Sequence, residues 1–136
     1  KGYGVEQDSA QAAAWYAKAA AQGHMQAQLN LGIAYITGNG VAQDDQKAAL
    51  WFAKAAVQGS ATAQYNLGLC YETGRGVEPD AYAASEWYEK AAEQGDAKAQ
   101  AALERLEEEA QASVLGPIED MGFYVPGCSF TAQMLQ

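Results

Sequence analysis

Residues 60–95 read SATAQYNLGLCYETGRGVEPDAYAASEWYEKAAEQG, and residues 24–59 read HMQAQLNLGIAYITGNGVAQDDQKAALWFAKAAVQG. Overlaid, the two blocks align Leu31 with Leu67, Gly32 with Gly68 and Tyr35 with Tyr71. They also align Gly38-Asn39-Gly40-Val41 with Gly74-Arg75-Gly76-Val77, Asp44 with Asp80, Trp51-Phe52 with Trp87-Tyr88, and Gly59 with Gly95. A remnant of a third copy opens the chain at Gly2-Tyr3-Gly4-Val5, followed by Asp8, Trp15-Tyr16 and Gly23. A fixed period of roughly 20–50 residues marks a stacked repeat protein. In such chains each unit touches only its neighbours, and the product is an extended binding surface. A non-catalytic role is therefore the default.

Each block reads as two helices. Ser60 caps a first helix over 61–73, and Gly74 and Gly76 give the backbone freedom to stop and turn. Asp80, after Pro79, caps a second helix over 81–94, which Gly95 closes in the left-handed region. The preceding block gives helices over 25–37 and 45–58. Ala48, Trp51, Phe52, Ala55 and Ala56 form one apolar stripe, matched by Ala84, Trp87, Tyr88, Ala91 and Ala92. Gly32 and Gly68 sit mid-helix at a cost of about 1 kcal/mol each relative to Ala. A close helix crossing with no room for a methyl group explains them. Lys18, Lys54 and Lys90 recur and read as snorkelling or solvated side chains.

A helix over 9–22 stands at the start without a first helix of its own. At the other end, a helix over 97–111 begins like a first helix, with Ala99 and Leu103. It then places Glu104 where Gly32 and Gly68 stood and Arg105 where Ile33 and Leu69 stood. Glu107, Glu108 and Glu109 follow. Terminal repeats need a polar outer face, so this helix reads as the cap of the stack. The expected organisation is a solenoid over 1–111 and a non-repetitive tail over 112–136. The solenoid comprises a partial repeat 1–23, full repeats 24–59 and 60–95, and a capping helix 96–111.

The string Ala63-Gln64-Tyr65-Asn66-Leu67-Gly68, with Tyr71, Gly74-Arg75-Gly76-Val77, Trp87-Tyr88, Lys90-Ala91-Ala92 and Gln94-Gly95, resembles the Sel1-like repeat family, relatives of tetratricopeptide repeats. The resemblance covers about residues 1 to 111. It implies an all-α fold, an α/α superhelix (a right-handed solenoid of antiparallel helix pairs) that serves as a protein-interaction module or adaptor. It also implies a bacterial periplasmic or secreted setting, with the cytoplasm left open.

In this architecture the first helices line the concave side. The candidate ligand-binding residues are Leu29, Asn30, Ile33, Ile36, Tyr65, Asn66, Leu69, Glu72 and Arg105. Two alternatives stay open. Asn30 and Asn66 either bond a peptide backbone or brace a neighbouring helix, and Leu29, Ile33 and Leu69 either face a ligand or fill the core between first helices.

Charge narrows the partners. The net charge is −9, and residues 1–71 balance acid against base, so the whole excess lies from Glu72 onward. This argues against nucleic acid, whose phosphates demand a basic footprint, and against an anionic membrane surface. A basic protein or peptide near the C-terminal end is allowed, although solubility alone explains the charge. No stretch approaches the ~20 apolar residues of a membrane span. The opening at Lys1, inside a repeat, reads as a mature protein or an excised fragment, with a removed export signal left open.

Little suggests chemistry. No cofactor is implied, and no Cys/His group has zinc spacing. His24, the only histidine, sits at a turn position and reads as a local cap or solvated residue. The Gly-Xaa-Gly runs end helices and are followed by no Gly-Lys-Ser/Thr, which disposes of phosphate-loop readings. Glu72 and Glu108 are the pair to test for a remote alternative, a carboxylate-dependent hydrolase. Cys70 reads as a small buried hydrophobe, and a Cys70–Cys128 bridge stays open. Within the tail, residues 121–136 carry Met121, Phe123, Tyr124, Val125, Phe130, Met134 and Leu135 without a charge. Gly116, Pro117, Gly122, Pro126 and Gly127 argue against one long helix there. It folds back on the repeats, enters the groove of another copy to give a homo-oligomer, or is disordered. In the second case the stack is a structural, self-assembling solenoid.

Overall fold

A computed structural model describes the backbone of residues 3–120 and the side chains of residues 8–112. Six helices follow one another: α1 (Tyr3–Ala21), α2 (Met25–Thr37), α3 (Asp45–Val57), α4 (Ala61–Thr73), α5 (Ala81–Glu93) and α6 (Ala97–Asp120). Two compact units meet in sequence between Ala101 and Ala102. The first holds α1 to α5 and the opening of α6. The second, from Ala102, holds the remainder of α6. The Met121–Leu135 segment and Cys128 lie outside the described residues.

Local chemistry places the boundaries. Asp44, Ser60, Asp80 and Asp96 each accept the backbone N–H three residues on, at 3.1, 3.1, 3.0 and 3.0 Å. Such caps contribute about 1 kcal/mol each over Ala. His24 occupies the matching position before α2, but its exposed side chain makes no capping bond. At the other ends, Gly38 and Gly74 adopt φ of 73° and 78° and donate to Ala34 O and Cys70 O. The loop then closes where Asp44 N and Asp80 N donate to Tyr35 O and Tyr71 O at 2.9 and 2.8 Å.

Cross-helix contacts give the direction of pairing. Gln58 reaches Gln28, Phe52 lies against Gly32 and Lys47 lies over Tyr35. One number rises as the other falls, so α2 and α3 are antiparallel. Gln94 with Gln64 and Tyr88 with Gly68 repeat the pattern in α4 and α5. The chain is an all-α solenoid of paired antiparallel helices, with α1 on α2, α2 on α3, α3 on α4 and α4 on α5.

The core is a row of alanines and a few large side chains. Leu29, Ala48, Phe52, Ala55, Ala56, Ala63, Leu67 and Cys70 are buried in one cluster, and Ala20, Ala27 and Leu31 in another. Small residues allow the close approach that the mid-helix glycines require. A Cβ on Gly32 would stand 2.6 Å from the Phe52 ring, and one on Gly68 would stand 2.6 Å from the Tyr88 ring. The expected crossing without room for a methyl group is therefore present twice. Between units, Gly40 lies against the Ser9 carbonyl and Gly76 against the Asp45 carbonyl, leaving no space for any side chain. Each turn thus sits on the first part of the second helix of the unit before it.

An amide relay, buried at Gln28 and Gln64 and exposed at Gln58 and Gln94, joins the units further. Gln58 Nε2 donates to Gly23 O at 3.0 Å and to Gln28 Oε1 at 2.7 Å, while Gln28 Nε2 donates to Ala20 O at 3.2 Å. Gln94, Gly59, Gln64 and Ala56 reproduce it at 2.9, 3.0 and 3.1 Å. Gln28 and Gln64 are buried, and burying an amide is tolerable only with such partners.

Two helix ends differ from the sequence reading. α1 begins at Tyr3, so Tyr3, Gly4 and Val5 of the first copy are helical rather than part of a turn. The later copies are held open by packing on the carbonyls of Ser9 and Asp45 in the second helix of the unit before. α6 continues past Gln111 to Asp120, through Gly116 and Pro117. Residues 97–115 contain no glycine or proline, and the turn that stops α2 and α4 has no counterpart here.

Candidate functional site

The first helices of successive units, α2 and α4, leave a groove of about 290 Å³ between them. Ile33, Ile36 and Leu69 line it with Phe52 and Cys70, while Asn66, Thr73 and Arg75 bring polar groups. The groove exists because the second helices hold the pairs apart: Phe52 of α3 is buried between α2 and α4. A second groove of about 400 Å³ lies one unit earlier, between α1 and α2. Five of its lining residues are those 36 positions back, but its other wall is Asp8, Ser9, Ala12 and Ala13 of α1 in place of Ile33 and Ile36. Tyr16 stands for Phe52, Asn30 for Asn66, Ile33 for Leu69, Ala34 for Cys70 and Asn39 for Arg75.

Of the nine residues singled out by sequence, Ile33, Ile36, Asn66 and Leu69 meet in the first groove, and Asn30 joins Ile33 in the second. Asn30 also accepts from Gln26 Nε2 at 3.2 Å on its own helix. Leu29 is 6% exposed and belongs to the core, the alternative left open above. Tyr65 is half-buried with its ring centroid 5.7 Å from that of Tyr88. Glu72 accepts the Tyr88 hydroxyl at 2.7 Å. Arg105 lies in the second unit, 3.6 Å from Glu109 one helical turn on, and Glu108 lies there too.

Other lining residues escaped the sequence reading. Arg75 appeared there only inside the Gly74-Arg75-Gly76-Val77 motif. Its Nη2 donates to Asp45 Oδ1 at 3.0 Å and to Ile36 O at 3.3 Å, and its Nε to Asp45 Oδ2 at 3.3 Å. It therefore ties the turn of one unit to both helices of the unit before. Nothing in the repeat announces it, since Asn39 is its counterpart. Thr73 did have a signal, its twin Thr37. Both donate to the carbonyl four residues back at 2.8 Å, so the methyl rather than the hydroxyl is left for a ligand. The Cys70 thiol is pushed up to about 11 by burial, with Arg75 opposing and Asp45 adding slightly. It is a neutral apolar surface and no nucleophile.

At about 290 and 400 Å³ the two grooves stand at the lower end of the ~300–1,000 Å³ of small-molecule pockets, and the first is open along its length between α2 and α4. It has two apolar walls, a ring as floor and an amide at the edge. That arrangement takes an apolar side chain from an extended chain and offers hydrogen bonds to its backbone.

The Sel1 repeat model matches residues 1–24, 26–60 and 61–96. Among solved structures, the chain is similar to a protective antigen of uropathogenic Escherichia coli displaying an SLR fold, with 49% identity and a TM-score of 0.66. That match covers 66% of this chain, which spans 19% of the antigen's length. A Sel1 repeat protein from Oxalobacter formigenes is 46% identical, with a TM-score of 0.66 over 67% of this chain and 68% of that one. The cysteine-rich protein B of Helicobacter pylori is 27% identical, with a TM-score of 0.64 over 67% and 68%. Among curated proteins, no sequence matches.

Proposed function

The chain belongs to the Sel1 repeat family, and from that premise we propose that it binds an extended peptide, or a loop of a partner protein, along the grooves between its first helices. The coarse role is the family's own, a protein-interaction or adaptor module on a non-catalytic scaffold. Among the described residues, no group of three or more His, Cys, Asp or Glu side chains is placed to hold a metal ion.

The observation that carries the finer reading is the groove between α2 and α4, whose floor ring and edge asparagine recur 36 residues earlier as Tyr16 and Asn30. The apolar notch at Ile33, Ile36 and Leu69 and the more polar one at Asp8, Ser9 and Ile33 each have an asparagine beside them, which matches a chain that presents side chains at regular intervals. Main-chain bonds to Asn30 and Asn66 would give register, and the notches would give specificity. A basic stretch in the partner fits the acidic excess after Glu72. Similarity to a protective antigen supports an exported setting.

Panning a displayed library of random peptides against the full chain tests this reading. Selected peptides are expected to share spaced apolar residues and to bind at least tenfold more weakly to an Ile33→Asp/Leu69→Asp variant of unchanged helicity. Retained affinity in that variant would place the ligand elsewhere.

A further inference from the structure

Two sets of contacts close the junction between the repeats at α2–α3 and α4–α5, and only one of them recurs in the chain. Gly40 on the Ser9 carbonyl and Gly76 on the Asp45 carbonyl are one contact made twice, and the glutamine relay likewise serves both junctions. Arg75 lies outside that shared set. Asn39 holds its position one repeat earlier, and Asp45 is replaced by Ser9 before and Ala81 after. Gln43 gives way to Pro79. Stacking of this kind is therefore achieved without the arginine network.

The network sits at the edge of the groove between α2 and α4. Gln43 Nε2 donates to Ile36 O at 3.1 Å and to Asp45 Oδ1 at 3.3 Å, the same two acceptors that Arg75 Nη2 uses. The Nε–H goes to Asp45 Oδ2. An arginine has five N–H donors in a rigid plane, and both that remain are on Nη1. No partner for them stands among the described residues. The side chain is 46% exposed and lines the groove with Ile36, Asn66 and Leu69.

We propose that Arg75 is a specificity-determining contact of this groove, its Nη1 donating to a main-chain carbonyl of the peptide whose apolar side chain enters between Ile33, Ile36 and Leu69. This rests on the peptide reading of the groove and adds a donor to Asn66, so that the main chain gains a second bond. Main-chain bonds of this kind supply affinity while the notch selects the side chain. The acceptor is a neutral carbonyl rather than a carboxylate. Asp45 already balances the guanidinium, and the adjoining hollow is lined by Asp44, Asp45 and Glu78, so an incoming anion would meet like charges. Because Asp45 and Ile36 O hold the guanidinium in place beforehand, little side-chain freedom is lost when the peptide arrives.

The probe is the tightest peptide recovered by panning on the wild-type chain, together with a series in which each of its amides in turn is replaced by an ester, a weaker carbonyl acceptor. Both are titrated into wild type, Arg75→Asn and Arg75→Met by calorimetry, with helicity checked by circular dichroism. The asparagine is the residue that the earlier junction carries. Each variant is expected to bind the all-amide peptide about tenfold more weakly, by the same factor at low and high salt. One ester should weaken binding to wild type and make no further difference to the variants, a coupling that a merely structural arginine would not produce. Undiminished affinity of both variants, or ester losses identical in all three proteins, would overturn the proposal. So would a salt-sensitive loss that follows an acidic residue of the peptide, which would make the acceptor a carboxylate. Ile33→Asp/Leu69→Asp separates the two readings. If it binds as wild type does, the groove reading falls and this assignment with it; if it loses binding while the Arg75 variants keep theirs, only the assignment falls.

Discussion

The Tyr88 ring stands 2.6 Å from the point that a Cβ on Gly68 would occupy, and Ala84 O stands 3.2 Å from it. Tyr88 is fully buried, so its ring has nowhere to go. Gly68→Ala should gain about 1 kcal/mol of helix propensity and lose about 1–3 kcal/mol to overpacking. We expect a net loss near 1 kcal/mol, read as a lower urea midpoint at constant slope. A raised midpoint would show that α4 and α5 are not this close.

Glu72 and Tyr88 are the polar version of a pair that is apolar one unit earlier, where Ile36 and Phe52 hold the same positions. The Tyr88 hydroxyl donates to Glu72 Oε1 at 2.7 Å in a half-buried site. Glu72→Ile alone strands the hydroxyl, and Tyr88→Phe alone removes a bond to a charged acceptor, at about 1–3 kcal/mol each. The double replacement restores the earlier unit's pair and should cost less than the two single losses added. A double-mutant cycle measures the coupling, and additive losses would contradict it.

Gln64 holds the amide relay at its buried centre. It donates to Ala56 O at 3.1 Å and accepts from Gln94 at 3.0 Å. Gln64→Ala leaves a carbonyl and an amide short of partners, which costs about 1–3 kcal/mol. The amides of α4 should exchange faster than in the wild type, while those of α1, served by the equivalent relay through Gln28, should change little.

Burial raises the Cys70 thiol from its ordinary 9.0 to about 11. Between those values the unfolded chain has released its proton and the folded chain keeps it. Stability from this group is therefore complete below pH 9 and is lost as pH climbs towards 11, up to about 2 kcal/mol. Cys70→Ala, which copies Ala34 of the earlier unit, should lack this slope. Thermal melts of both proteins from pH 8 to 11 provide the comparison, and parallel curves would refute it.

The sequence determined the repeat, its pairing of helices and nearly every boundary between them. Asp44, Ser60, Asp80 and the turn glycines act through backbone geometry within a few residues, so their meaning is local and survives in one dimension. The interior helix ends fell within a residue of expectation. The misjudged ends were the start of α1 and the end of α6.

The sequence also marked Asn66, Ile33, Ile36 and Leu69, because a 36-residue offset and helical spacing put them on one side. Only the tertiary structure decided that Leu29 and Tyr65 turn into packing, that Glu72 is held by Tyr88, and that Arg75 reaches back to Asp45 and Ile36. Those outcomes depend on which ring lies across a helix gap and on contacts up to 39 residues apart. A side chain's direction around its own helix is fixed by spacing, but what it meets there is set by a neighbour whose distance the one-dimensional pattern does not contain.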